Sequence, residues 1–302
     1  MPGGLGDRAG LYRFRGRTGQ TQRAGQSKPG ANLKNIPGIL GEIVEKRLVR
    51  IEEAKKNRSF EEVRTAAEHA RRPLSLQRAI GARSGVSLIA EMKRSSPSAG
   101  PLDPDLDPAS RATLYCDASA TAISVLTEQD YFSGSIDDLV AVSEAARRSR
   151  VPVLRKDFIV DPYQVYEARA AGADCILLII AILEPENYAD LFTISTSMGM
   201  DVLVEVFDES ELESAMQIDP RVIGVNNRNL KTLKTSLTEF EELAAKIPPD
   251  RIRVAESGMK TAADVERMGH AGANAVLVGE SLMKAGGDLG ALVAAMAAVE
   301  VG

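Results

Sequence analysis

Eight short runs rich in valine, isoleucine, leucine and alanine recur along the chain, separated by roughly 20 to 35 residues. They are Val86 to Ala90, Ala122 to Leu126, Val151 to Leu154, Cys175 to Ile180, Val202 to Val206, Val222 to Val225, Arg251 to Ala255 and Ala275 to Val278. Each has the length of a strand, and each interval has room for one helix. The intervals also carry helix punctuation. Asp161-Pro162 supplies an N-cap and a first helical residue, with Gly172 just past the far end. Asp208 with Glu211, and Thr261 with Asp264, have the spacing of capping boxes. Strand followed by helix, eight times over, requires parallel strands, and eight is the number that closes a barrel. The pattern therefore predicts an α/β fold, a (βα)8 TIM barrel. Its structural rival, an open doubly wound sheet, would place a GxGxxG turn after the first strand, and none is present.

The length of 302 residues leaves room for more than a barrel, which takes roughly 200 to 250. The stretch from Ile36 to Arg83 reads as an N-terminal helical extension of two or three helices, including a strongly charged one from about Gly41 to Lys56. Residues 35–302 are expected to form a single catalytic domain, with the extra helices inside 35–85. Residues 1–34 differ in kind. They hold seven Lys and Arg against one acid, Asp7, and few large apolar side chains. Such a segment buries too little surface to offset its ordering entropy and reads as a disordered basic tail. A transit peptide or an anion-binding arm would share the charge, but serine is scarce and no amphipathic helix is evident.

Charge and composition exclude several function classes. The net charge is −5, and beyond residue 34 the balance is 30 basic to 41 acidic residues, or −11. That argues against nucleic acid as a partner and makes any anion site a local construction. No apolar run approaches the roughly 18 residues of a spanning helix, so no membrane segment is expected. Two cysteines, Cys116 and Cys175, and two histidines, His69 and His270, do not make the usual zinc sets. Metal-free chemistry in a reducing cytoplasm is the expectation.

Barrel active sites lie at the carboxyl ends of the strands, so the residues that close each run carry the functional signal. They are polar: Glu91-Met92-Lys93, Lys156-Asp157, Glu205, Asn226, Glu256-Ser257-Gly258 and Gly279-Glu280. Any one of them alone reads equally as a structural ion pair; several converging on one end make a site. Glu91 and Lys93, two apart on a strand, face the same side. Ser257-Gly258 and Gly279-Glu280 follow runs seven and eight, where barrels often bind phosphate through main-chain N–H groups.

Whole blocks carry a family resemblance. Leu88-Ile89-Ala90-Glu91-Met92-Lys93-Arg94-Ser95-Ser96-Pro97-Ser98, Ile123-Ser124-Val125-Leu126-Thr127-Glu128-Gln129-Asp130-Tyr131-Phe132-Ser133-Gly134 and Leu154-Arg155-Lys156-Asp157-Phe158-Ile159 are followed in order by Glu205-Val206, Gly224-Val225-Asn226-Asn227-Arg228-Asn229-Leu230, Glu256-Ser257-Gly258 and Val278-Gly279-Glu280-Ser281-Leu282-Met283. From about Ile39 to the C-terminus the chain resembles the indole-3-glycerol phosphate synthase family of tryptophan biosynthesis. The resemblance implies a carboxy-lyase without organic cofactor or metal. Its substrate would be 1-(2-carboxyphenylamino)-1-deoxyribulose 5-phosphate, and other tryptophan-pathway enzymes its neighbours.

The resemblance also implies roles. Lys156 would protonate the ketone oxygen during ring closure, Glu205 and Lys93 would serve the dehydration, and Glu91 would hold Lys93. Asn226 would bond the substrate's hydroxyls or its carboxylate region, and Ser96 and Arg228 would surround the anthranilate carboxylate. Phe132 and Phe158, with Tyr131, would pack on the anthranilate ring. Ser257, Gly258, Gly279 and Glu280 would bind the phosphate through N–H groups, the Glu280 side chain turned away, since many relatives carry serine there. The Ser-, Pro- and Gly-rich loop from Arg94 to Asp107 would be a lid. Two alternatives remain at this level. A phosphoribosyl-sugar isomerase of the same barrel type would need a catalytic cysteine and aspartate pair, and neither cysteine ends a run. A non-catalytic sugar-phosphate-binding barrel would have no need of both lysines and both glutamates. Cys116 and Cys175 read as buried thiols, and His270 as a residue of an outer helix.

Overall fold

In the computed structural model, which describes residues 33–34, 36–230 and 232–301, eight parallel strands close on themselves. They are β1 (Ser87–Met92), β2 (Ala122–Leu126), β3 (Val153–Lys156), β4 (Cys175–Ile179), β5 (Asp201–Val206), β6 (Val222–Asn226), β7 (Ile252–Glu256) and β8 (Ala275–Val278). Each pairs with its successor, and β8 returns to β1 with Ala90 opposite Val278. The predicted barrel is present. A helix lies in every crossover between successive strands and packs on the outside of the barrel, so the strands are largely buried on both faces and read as apolar runs. The tail assigned to residues 1–34 falls almost wholly outside the described residues.

Several strands extend one or two residues beyond the expected apolar runs, through Glu91-Met92, Arg155-Lys156, Asn226 and Glu256. The backbone ladder is indifferent to side-chain polarity: Glu91, Lys156 and Asn226 face the mouth, while Arg155, alternating with Lys156, pairs with Asp157 and Glu167 on the other face. Hydrophobic periodicity has no way of registering that. The helix starts match their punctuation. Asp161 caps the helix Pro162–Ala170 in a reciprocal capping box with Gln164, and Thr261 does the same with Asp264 for Ala262–His270. Asp208 caps Glu209–Ala215, but the Glu211 carboxylate accepts from Phe207 N–H instead of closing the box.

The extension forms three helices, α1 (Ile39–Asn57), α2 (Phe60–His69) and α3 (Leu76–Gly81). It straps the barrel from top to bottom. At the mouth, the buried Arg47 of α1 donates to Asp157 Oδ2 at 2.7 Å, just past β3. At the opposite end, Arg71 pairs with the fully buried Asp174 at 2.7 Å, and Ser75 and Gln77 donate to Asp201 at the start of β5. Barrel chemistry belongs to the first face and stability to the second, and this extension touches both.

Candidate active site

The carboxyl ends of the strands surround a cavity of about 750 Å³. Its floor is ionic. Lys156, the last residue of β3, places its ammonium 3.2 Å from Glu256 at the end of β7, 3.4 Å from Glu205 on β5 and 4.0 Å from Glu91 on β1. Lys93, one residue past β1, lies 2.5 Å from Glu91 Oε1. Asn226 donates to Glu205 Oε1 at 3.0 Å and accepts from Arg228 N–H through its Oδ1 at 3.0 Å, tying β5 to β6 and to the loop beyond. All five residues expected to act chemically therefore meet at one spot.

Glycine makes room for this cluster. A Cβ on Gly224 would lie 2.0 Å from Glu256 Oε1, and one on Gly279 would lie 2.3 Å from Glu91 Oε1. Two of the three carboxylates occupy volume that any other residue would fill.

Burial and charge set the protonation states. Burial opposes the charge on Lys156, but Glu256, Glu205 and Glu91 override it and hold its pKa well above the ordinary lysine value. Glu91 is likewise fully buried, yet Lys93, Lys156 and Arg228 keep its carboxyl below the usual range. Glu256 goes the other way: burial, reinforced by Glu205 and Glu91, outweighs Lys156 and pushes it up to about 8. Lys156 is thus held as the ammonium and Glu91 as the carboxylate, while Glu256 is pushed toward its neutral acid form. Sequence reasoning noted Glu256 at the end of run seven but gave it no role, because the adjoining Ser257-Gly258 drew the whole block to phosphate binding.

The walls are shared between polar and apolar groups. Phe132 and Phe158 both face the cavity, ring centroids 6.1 Å apart, beside Leu177 and Ile179 of β4. Tyr131 departs from expectation. Its ring turns outward under Lys46 of α1, 4.7 Å from the ammonium, in a turn whose consecutive N–H groups at 130–132 are held by the Glu128 carboxylate. Ser96 lines the wall, and its hydroxyl accepts from Ala99 N–H at 3.2 Å. Arg94 anchors the start of its loop by donating to Asp138 at 3.0 Å and to Leu106 O at 3.1 Å.

On the far side, Ser257 and Gly258 both have left-handed φ, 64° and 92°, which bends the chain sharply off β7. Gly279 and Glu280 follow β8, and the Ser281 hydroxyl donates to Met259 O at 3.0 Å, joining the two loops. The Glu280 carboxylate pairs with Lys284 at 2.6 Å and Arg228 at 3.1 Å, and these cations hold it below the usual range. Cys175 starts β4 at the opposite end from the mouth and Cys116 sits on the helix Pro108–Asp117. His270 is exposed, 3.9 Å from Glu266. Among the described residues, no group of three or more His, Cys, Asp or Glu could hold a metal ion, and no helix is long and apolar enough to cross a membrane.

Comparison with known proteins points one way. The family profile of indole-3-glycerol phosphate synthase matches residues 40–294. An indole-3-glycerol phosphate synthase of Dehalococcoides mccartyi is 52% identical over 197 residues, 65% of this chain and 76% of that protein. One from Mycolicibacterium vanbaalenii is 50% identical over 228 residues, 76% of this chain and 82% of that protein. Among solved structures, a mutant tryptophan synthase α-subunit from Pyrococcus furiosus aligns with a TM-score of 0.55 at 18% identity, covering 70% of this chain and 97% of that one. At that identity it speaks for the fold alone.

Proposed function

The chain belongs to the indole-3-glycerol phosphate synthase family, and from that membership we propose how the residues of the mouth divide the work. The reaction closes a ring on 1-(2-carboxyphenylamino)-1-deoxyribulose 5-phosphate and then expels carbon dioxide and water to give indole-3-glycerol phosphate. Lys156 donates a proton to the ketone oxygen as the aromatic carbon attacks, so that no free alkoxide forms. Loss of carbon dioxide restores the aromatic ring. In the dehydration Glu205 takes a proton from the intermediate while Lys93 gives one to the departing hydroxyl, with Glu91 holding Lys93. This division is supported most by the Lys156 ammonium lying within 4.0 Å of three carboxylates from three strands.

The remaining residues bind. Phe132 and Phe158 sandwich the anthranilate ring, Ser96, Arg228 and Asn226 take its carboxylate, and the N–H groups of Ser257, Gly258, Gly279 and Glu280 take the phosphate. Arg228 exchanges Glu280 for the substrate as it binds. The segment from Arg94 to Asp107, which carries Ser96 into the wall, acts as a lid. Residues 35–302 work as one catalytic domain, since Ile39, Leu40 and Ile43 of α1 line the same cavity. Family membership supports a reading in which the protein works in the cytoplasm with other tryptophan-pathway enzymes as neighbours.

Glu256 gives the pH test. Above about pH 8 it ionises and adds a negative charge to a site that must accept a phosphate and a carboxylate. The expected result is that kcat/KM falls as pH rises through that value, and that Glu256→Gln, neutral throughout, loses this limb. A parent profile that stays flat from about pH 7 to about pH 9 would refute it.

Geometry gives a second test. Gly224→Ala places a methyl group on the Glu256 carboxylate, and displacing it by about 1 Å is expected to lower kcat/KM on the order of 100-fold. Steady-state rates followed by the indole fluorescence of the product measure it; a parent-like rate would mean that the carboxylate's position is immaterial.

A further inference from the structure

One fully buried acid takes no part in the scheme above. Glu128 lies two residues past β2, is 0% exposed, and points into the loop that follows it instead of the cavity. Its carboxylate accepts three consecutive main-chain N–H groups: Asp130 at 2.9 Å on Oε1, and Tyr131 at 2.8 Å and Phe132 at 3.1 Å on Oε2. Its own carbonyl accepts from Gly134 N–H at 2.8 Å, closing the turn. A chain that wraps its amides around one anion has little conformational choice left, because each bond is charge-assisted and each fixes the direction of a peptide plane.

The wrapped loop ends on Phe132, which stands 6.1 Å from Phe158 in the cavity wall. The same loop also receives the segment after β1. Ser95 N–H donates to Phe132 O at 3.2 Å and the Ser95 hydroxyl to Tyr131 O at 2.9 Å, immediately before Ser96. On the outside, Arg50 of α1 grips Asp130 at 2.9 Å. Glu128 is the common centre of these contacts, and among the described residues its carboxylate bonds only to main-chain N–H groups of its own loop.

We propose that Glu128 is a positioning residue: its carboxylate pre-sets the β2 loop so that Phe132 meets the aromatic ring of the substrate without further ordering. This rests on the assignment of Phe132 to that ring. A preformed wall removes an ordering cost that would otherwise be charged to binding, and a wall that binds ring and transition state alike changes KM and leaves kcat in place.

The test is a double-mutant cycle on the full chain, following product fluorescence. Glu128→Gln keeps the shape but turns an NH2 group or a neutral oxygen toward amides that need an anion. It is expected to raise KM at least about fivefold with kcat within about twofold. In a Phe132→Ala background the same change is expected to raise KM by less than about twofold, since there is no ring left to position. Phe132→Ala alone reads the assignment beneath: if it leaves KM unchanged, Phe132 does not meet the substrate ring. If it raises KM but Glu128→Gln does not, or if Glu128→Gln costs as much with the ring absent, the positioning role is wrong. Should Glu128→Gln not fold, Glu128→Ser, which leaves space for water to bond the amides, is measured the same way. Failure of both to fold would overturn the proposal by placing the carboxylate in the stability of the barrel.

Discussion

Lys156→Ala is expected to lower kcat at least about 1,000-fold, as followed by the appearance of indole fluorescence. The loss of a positioned general acid alone accounts for about 10² to 10⁴. The surroundings enlarge the effect. Lys156 is the cation that three buried carboxylates share, at 3.2, 3.4 and 4.0 Å. Without it, Glu91, Glu205 and Glu256 face one another with Lys93 as the nearest remaining ammonium. That repulsion would displace the proposed base, Glu205, as well. KM should rise too, because a substrate carrying both a phosphate and a carboxylate meets a mouth that has lost a positive charge. Lys156→Arg separates the two effects. A guanidinium restores the charge but does not surrender a proton near neutrality, so KM should recover while kcat stays low. Turnover at the parent rate in Lys156→Ala would mean that the ketone oxygen takes its proton elsewhere.

The charge balance of the mouth explains how a strongly acidic protein handles an anion. The sequence suggests an island of positive charge around Lys93, Lys156 and Arg228. The folded chain instead gives each an acidic partner: Glu91 beside Lys93, Glu205 and Glu91 together with Glu256 around Lys156, and Glu280 beside Arg228. In the proposed scheme substrate binding is then an exchange of partners, and the pairing keeps the site from carrying uncompensated buried charge.

What was legible in the sequence follows from what local pattern encodes. Strand and helix alternation is local, and it specifies the barrel; the barrel then brings the ends of the runs together, which places Glu91, Lys93, Lys156, Glu205 and Asn226 around one point. Pairing across the mouth is not local. That Glu256 sits nearest to Lys156, 100 positions earlier in the chain, depends on β3 and β7 standing across the barrel from one another and on Gly224 leaving space. Its position at the end of run seven was the available signal. The direction of Tyr131 was illegible for a related reason: in an irregular loop no period dictates which neighbour points inward, and here the Glu128 carboxylate decides it.

Asp157→Ala should be the most destabilising single change, costing about 3 to 5 kcal/mol, because it removes one partner from a buried ionic lattice. The Asp157 carboxylate is 0% exposed and accepts from Arg47 at 2.7 Å, Thr127 at 2.5 Å, Arg155 at 3.0 Å and Phe158 N–H at 2.8 Å. Deleting it strands the buried guanidinium of Arg47 on α1 and leaves Arg155 on β3 with Glu167 alone, among the described residues, as its ionic partner, at 2.9 Å. Urea unfolding should show a lower midpoint with little change in slope, as for a change in native-state stability. Acid provides the control. Burial works against the Asp157 charge, but Arg47 and Arg155 override it and hold its pKa below the ordinary aspartate value. A carboxylate depressed in this way contributes fully above the unfolded-state pKa of about 3.9, and its contribution is lost as pH falls through the folded-state value. The stability gap between parent and variant should therefore be wide at neutrality and narrow below about pH 4. A gap that holds its full size in acid would assign the loss to packing. A gap absent at neutrality would mean that α1 reaches the catalytic strand through its apolar face alone.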